Sequence, residues 1–102
     1  MKKATLYIGL NDKDTKRQEL DTVEAYKLVQ RELVRAVGGG TIYAADGIYT
    51  HDNGEIVIEK TLRVEIIDAA ETALMVLVQT LKTILNQESI IIQREQVDTC
   101  FA

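Results

Sequence analysis

Gly47-Ile48-Tyr49-Thr50-His51-Asp52-Asn53-Gly54-Glu55-Ile56-Val57-Ile58-Glu59-Lys60 (residues 47–60) is the stretch that decides the fold. Asn53-Gly54 is the strongest two-residue hairpin signal, because both central positions of such a turn take positive φ. With these two at the centre, Asp52 faces Glu55, Tyr49 faces Ile58, Gly47 faces Lys60 and Tyr43 faces Val64. The returning strand then puts Ile56, Ile58, Lys60, Leu62, Val64 and Ile66 on one face. Val57, Glu59, Thr61, Arg63, Glu65 and Ile67 fall on the other, so one face is apolar and one mostly polar.

Upstream of the hairpin, Leu6, Ile8 and Leu10 alternate through Thr5–Leu10 with the period of a half-buried strand. A polar loop, Asn11 to Glu19, leads to Asp21-Thr22-Val23-Glu24, whose acid-x-x-Glu spacing resembles a capping box. Val23, Tyr26, Val29, Leu33 and Val37 follow at three- and four-residue steps and predict the buried face of a helix. Gly38-Gly39-Gly40 stops that helix, since glycine accepts the left-handed conformation just past a helix end. Downstream, Asp68-Ala69-Ala70-Glu71 repeats the cap spacing and opens a second helix. Its expected buried stripe is Ala70, Ala73, Leu74, Leu77, Leu81, Ile84 and Leu85, widened beyond one face by Met75, Val76 and Val78, with Asn86 as C-cap. A last strand runs from about Ser89 to Phe101 and opens on Ile90-Ile91-Ile92. The order β-α-β-β-α-β, closed by right-handed crossovers, predicts an α+β ferredoxin-like sandwich with two helices on one face of a four-stranded antiparallel sheet.

Lengths carry the next inference. A first helix of roughly 16 residues spans roughly 24 Å. Hairpin strands of about a dozen residues reach roughly 40 Å. The helices therefore cannot cover the whole ribbon, and Gly47 to Lys60 is expected to project as an arm. It carries Ile48, Tyr49, Ile56 and Ile58, an exposed apolar ribbon that a second copy of the chain would cover. Ile91, at the start of the last strand, lies at the same end and joins the expected interface. The competing expectation is a bulge at Asp46-Gly47 that coils the ribbon back over its own helices. Lys60, in the apolar row, is expected to sit beyond the helices with its amine in water.

Composition bounds the function. The 102 residues fit one domain, 1–102, and no linker or low-complexity tract divides them. With 46 % hydrophobic and 27 % charged residues the chain reads as an ordinary soluble globular protein. The net charge of −4 argues against a nucleic-acid polymer as partner. No apolar run reaches membrane length and no leader pattern follows Lys2-Lys3, so the expected location is cytoplasmic. One cysteine, Cys100, provides neither a disulfide framework nor a cysteine-rich zinc site. The single histidine, His51, with scattered carboxylates forms no recognisable metal spacing. Gly38-Gly39-Gly40 lacks the following Lys-Ser/Thr of a phosphate loop. No cofactor and no metal are expected.

At the end that holds the arm, the topology gathers Lys13, Lys16 and Arg17 from the polar loop with Tyr49 and His51. Three bases near a helix start suit a phosphate or carboxylate, and Tyr49 can stack on a ring. The opposing expectation is a solvated loop in which Asp12, Asp14 and Glu19 cancel the bases.

Thr5-Leu6-Tyr7-Ile8-Gly9-Leu10-Asn11, the glycine-stopped helix before Thr41-Ile42-Tyr43 and the alternating strand Glu55 to Ile67 resemble the small ferredoxin-like proteins of bacterial and phage genomes. The resemblance covers the whole chain but matches no catalytic motif, so it transfers no functional residue. It implies self-association and small ligands held between protomers, and it extends to phage proteins that sequester signalling nucleotides of host defence. The leading expectation is a non-enzymatic homo-oligomer that binds a small anionic, nucleotide-like ligand at a subunit boundary. Its rivals are an interaction module that docks through the arm on another protein, and a small dimeric α+β-barrel enzyme. The enzyme would have its site on the open sheet face around Tyr7, Arg63 and Glu65.

Overall fold

The computed structural model describes residues 1–102. Its elements are β1 (Lys2–Gly9), α1 (Thr22–Val37), β2 (Thr41–Thr50), β3 (Ile56–Ile67), α2 (Glu71–Ile84) and β4 (Ile91–Gln96). The sheet is four-stranded, ordered β2-β3-β1-β4, with every neighbouring pair antiparallel. This is the expected ferredoxin-like α+β architecture. The core lies between sheet and helices: Leu6 and Ile8 from β1 and Leu62, Val64 and Ile66 from β3 meet Val29, Leu33, Leu74, Leu77 and Leu81. Neither helix is long and apolar enough to cross a membrane.

Local chemistry accounts for most boundaries. Asp21 caps α1 by accepting a hydrogen bond from the Val23 N–H at 2.9 Å. Gly38 ends it at φ 87 and donates to the Val34 carbonyl. The buried stripe of α1 is the expected one at Val29 and Leu33, with Val37 packed against the core, but not in its first turns. Ala25, Val29, Glu32 and Leu33 face inward, while Val23 and Tyr26 are exposed. Ala25, Val29 and Leu33, spaced by four, form the inward stripe, and α1 packs along α2. The start of α2 also departs from expectation. Asp68 takes φ 58 and donates its N–H to the Lys2 carbonyl, so it closes the sheet; the N-cap is Ala70, which has no side-chain cap. Ile84 is exposed, and Val78 takes a place in the core. Strand β4 is shorter than expected at both ends: Ile90 packs against the core before pairing begins, and pairing with β1 ends at Gln96, opposite Lys2.

The hairpin register differs by one residue from the sequence reading. His51 N–H donates to the Glu55 carbonyl, and Gly54 N–H donates to the His51 carbonyl. Gly54 has φ 85, whereas Asn53 does not have positive φ. The connection is therefore a three-residue turn ending in a left-handed glycine, not a two-residue turn with both positions positive. Ile48 consequently faces Ile58, Tyr49 faces Val57 and Asp46 faces Lys60. A slip of one residue moves every side chain of a strand to the opposite face. Here it moves Tyr49, Gly47 and Tyr43 to the open face of the sheet and Ile48 to the helix side.

The arm projects as expected. Pairing runs unbroken from Thr41 to Thr50, with no bulge at Asp46-Gly47, and the molecule extends over 46 × 25 × 23 Å. Beyond the helices, Ile48, Ile56 and Ile58 are 70 %, 67 % and 67 % exposed. Lys60 Nζ donates to Asp46 Oδ1 at 2.9 Å, with both side chains more than half exposed, which matches the expected watery position.

Candidate ligand cleft

A cleft of about 1100 Å³ opens where the arm leaves the body. Its floor is the open face of the sheet: Tyr7 and Gly9 from β1, Gly47 and Tyr49 from β2, and Val57, Glu59 and Thr61 from β3. One wall is the loop after β1, with Asn11, Asp12, Lys13 and Lys16. Gln87, Glu88, Ser89 and Ile91 form the rim next to β4.

The loop is built rather than loose. Asn11 bridges Gln18, and Asp12 N–H donates to the Arg17 carbonyl at 2.8 Å. Asp12 Oδ1 accepts the N–H groups of Asp14 and Thr15 at 2.8 and 3.1 Å, an Asx turn. Lys16 then takes φ 63 to close the loop. Asn86, left-handed at the end of α2, donates its side-chain amide to both Asp12 Oδ2 and Asp14 Oδ2 at 2.9 Å, and its carbonyl accepts from Lys13 N–H. Gln87 adds a bond from its amide to the Asn11 carbonyl. The Asn86 amide, followed by the Thr15 and Asp14 N–H groups, holds the Asp12 carboxyl below its ordinary value of 3.8.

Glu59 makes the least expected arrangement. Its side chain folds back over the end of β1, where Asn11 N–H donates to Oε2 at 2.9 Å. A methyl group at Gly9 would lie 2.5 Å from Oε1 and 2.6 Å from Cδ, so this carboxylate position requires glycine at Gly9. Tyr49 and His51 stand edge to face at 5.4 Å on the arm. Beyond the cleft, the Arg63 guanidinium lies over the rings of Tyr7 and Tyr43, at 5.9 and 5.5 Å. Glu65 collects Lys3 Nζ at 2.9 Å, Arg63 Nη2 at 3.0 Å and the Tyr43 hydroxyl at 3.1 Å. The Lys3 ammonium, with the Tyr43 hydroxyl, holds the Glu65 carboxyl below 4.5, and the same contact raises Lys3 above 10.5. Arg63 and Glu65 are thus occupied with their neighbours on a filled surface; of Tyr7, Arg63 and Glu65, only Tyr7 borders the cleft.

Lys13, Lys16, Tyr49 and His51 all line the cleft, together with Ile48, Ile56, Ile58 and Ile91. Arg17 does not line it and is paired with Glu19 at 3.5 Å. The sequence reading places Tyr7 only in the open-face enzyme alternative and misses Asn11, Glu59 and Gln87 as cleft residues. The glycine that ends strand β1 was the one available signal, since such a glycine marks close approach of another group. Charge in the cleft is of both signs. Lys13 and Lys16 face Glu55, Glu59 and Glu88, and none of the five is among the chain's ion pairs.

No family model and no curated protein matches the chain. Several solved structures share its fold. A phage SAM lyase in complex with S-methyl-5'-thioadenosine aligns with a TM-score of 0.65 at 23 % identity, covering 93 % of this chain and 80 % of that one. CutA1 from Pyrococcus horikoshii, a point variant, gives 0.62 at 15 % identity, over 98 % and 86 % of the two chains. A PII-like protein CutA from a Nostoc species gives 0.52 at 18 % identity, over 96 % and 82 %. Likeness at these identities establishes the fold. The neighbours include a phage protein and a bacterial one, as the resemblance in the sequence implied, and extend to a CutA1 from Oryza sativa.

Proposed function

We propose that the chain assembles with copies of itself through the β2–β3 arm and binds a small adenine-nucleoside-type ligand in the cleft at the arm's base. The observation that carries this reading is the cleft lining. Two tyrosines, Tyr7 and Tyr49, stand among unpaired side chains of both charge signs, in a volume of about 1100 Å³. That volume is slightly above the usual range of small-ligand sites, about 300–1,000 Å³, and the cleft is open to solvent, so in this reading a second protomer encloses it. The exposed isoleucines of the arm border the same cleft from the opposite face of the ribbon to Tyr49, so a protomer that covers the arm would also stand beside the ligand. The mixed charge moves the reading from a purely anionic ligand to one with a ring and polar groups of both kinds. The phage protein of this fold holds such a molecule, S-methyl-5'-thioadenosine.

Calorimetric titration with S-methyl-5'-thioadenosine tests the proposal. Saturable binding is expected. Tyr49→Ala should weaken it about 5- to 150-fold, the range for losing one stacked base, about 1–3 kcal/mol. Absence of saturable binding by this nucleoside and by adenosine monophosphate would refute the reading. A second reading uses the same cleft for chemistry, as a lyase acting on S-adenosylmethionine. It is supported by Glu59, an anchored carboxylate with no cationic partner. Chromatography after incubation separates the two: release of S-methyl-5'-thioadenosine supports the lyase, and intact S-adenosylmethionine with saturable binding supports the binding protein.

A further inference from the structure

We infer that the cleft selects ligands carrying an onium centre, a sulfonium or ammonium, and that Glu59 is the residue that makes the selection. This deepens, and rests on, the reading of the cleft as a nucleoside-ligand site. Three features carry it. First, the Glu59 carboxylate is held in place. Asn11 N–H fixes Oε2 at 2.9 Å, while Oε1 makes no hydrogen bond within the chain. Second, the chain leaves space for that position, since a side chain at Gly9 would collide with the carboxylate. Gly9 ends β1, and the absence of a Cβ there leaves the carboxylate its place against the backbone. Third, aromatic rings share the same sheet face. Tyr7 lies two residues before Gly9 on β1, and Tyr49 lies two residues after Gly47, the cross-strand partner of Glu59. A carboxylate and tyrosine rings lining one cleft are the combination that recognises cationic ligand centres, through direct charge attraction and through the ring quadrupole.

Elsewhere on the surface, carboxylates such as Glu65, Glu71 and Asp46 are neutralised by basic side chains. Glu59 has no such partner. Lys13 and Lys16 border the same cleft from the loop wall and are left for the anionic end of a zwitterion.

The test compares two probes that differ by one methyl group and one charge. S-adenosylmethionine carries a sulfonium, and S-adenosylhomocysteine is its neutral thioether. Calorimetric titration should show the sulfonium binding at least tenfold more tightly to the unaltered chain. Glu59→Gln keeps the side chain's shape and the Asn11 contact. It should bring the two affinities to within about threefold, by weakening the sulfonium and leaving the thioether unchanged. Gly9→Ala, which displaces the carboxylate, should do the same; if it fails to fold, Glu59→Gln carries the test alone. Equal affinities in the unaltered chain, or a preference that survives Glu59→Gln, would overturn the inference while leaving the nucleoside site standing. Failure of both probes and of S-methyl-5'-thioadenosine to bind would instead overturn the site itself.

Discussion

Gly54→Ala is the perturbation that reports on the hairpin register, and through it on which side chains reach the cleft. Gly54 holds φ 85, and a methyl group there meets nothing within 4 Å, so the substitution changes backbone preference without a clash. Placing an L-residue in the left-handed region costs roughly 1–2 kcal/mol. The cost is confined to the arm tip, where His51 N–H donates to Glu55 and Gly54 N–H donates to His51. At about 1.4 kcal/mol per factor of ten, those two amides should exchange with solvent about 5- to 30-fold faster in the variant. Core amides such as those of Leu6 and Leu62 should be unaffected. Asn53→Ala is the control. Asn53 lies outside the positive-φ region and loses only the hydrogen bond its Oδ1 accepts from Glu55 N–H, so its effect should be clearly smaller. Amide hydrogen exchange followed by NMR reads both. The same spectra should show a close Hα–Hα contact between Ile48 and Ile58, which face each other as a non-hydrogen-bonded pair. A contact between Tyr49 and Ile58 instead, with Asn53→Ala as costly as Gly54→Ala, would mean a two-residue turn. Tyr49 would then leave the open face, and the cleft as described would not exist.

Leu62→Ala, at a fully buried position in the middle of β3, should destabilise the chain by about 2–5 kcal/mol in urea unfolding. Stability should also follow pH through named pairs. Glu65 and Asp12 have lowered folded-state values, so their contribution is present above their ordinary 4.5 and 3.8 and fades as acid protonates them; Lys3, raised above 10.5, contributes below that value and loses its contribution as alkali removes its proton. Melting temperature measured against pH should fall at both ends, and Glu65→Gln should flatten each limb in part, because Glu95 still raises Lys3 on the alkaline side and Asp12 remains on the acid side. Ile48→Thr with Ile58→Thr keeps β-branched side chains but removes about two-thirds of two isoleucine burials from any interface. That is about 2–4 kcal/mol, or at least about a 30-fold rise in the apparent dissociation constant, with the circular dichroism of the protomer unchanged.

What could be read in the chain and what could not divide along physical lines. Gly38, Asp21 and the alternation of β1 and β3 act on their immediate neighbours, so the element order and the sheet followed from them directly. The arm followed from strand length alone. Asn53-Gly54 misled because the pair fits equally well as the centre of a two-residue turn or as the last two residues of a three-residue turn, and only the pairing beyond it decides. The face of α1 was legible in Val29, Leu33 and Val37 but misled at its start, because hydrophobic size pointed to Val23 and Tyr26 while the small Ala25 is the side chain buried there. Asp68 looked like a cap but closes the sheet instead. In the cleft, the loop bases and the arm aromatics were legible because topology places them at one end. The Glu59 carboxylate over Gly9 was not, because its anchor, Asn11, lies 48 residues away in the chain. Arg17 was drawn into the site by sequence proximity and is instead taken by Glu19.

Light scattering on the purified chain, across a range of concentrations, addresses the idea on which the shared cleft depends: a ribbon this apolar and this far beyond its helices does not stay in water unaccompanied. The mass should be a whole-number multiple of the 11.4 kDa protomer, two or more, and should fall toward one protomer in Ile48→Thr/Ile58→Thr. A single protomer that persists into the high-micromolar range, with the arm still extended, would contradict it.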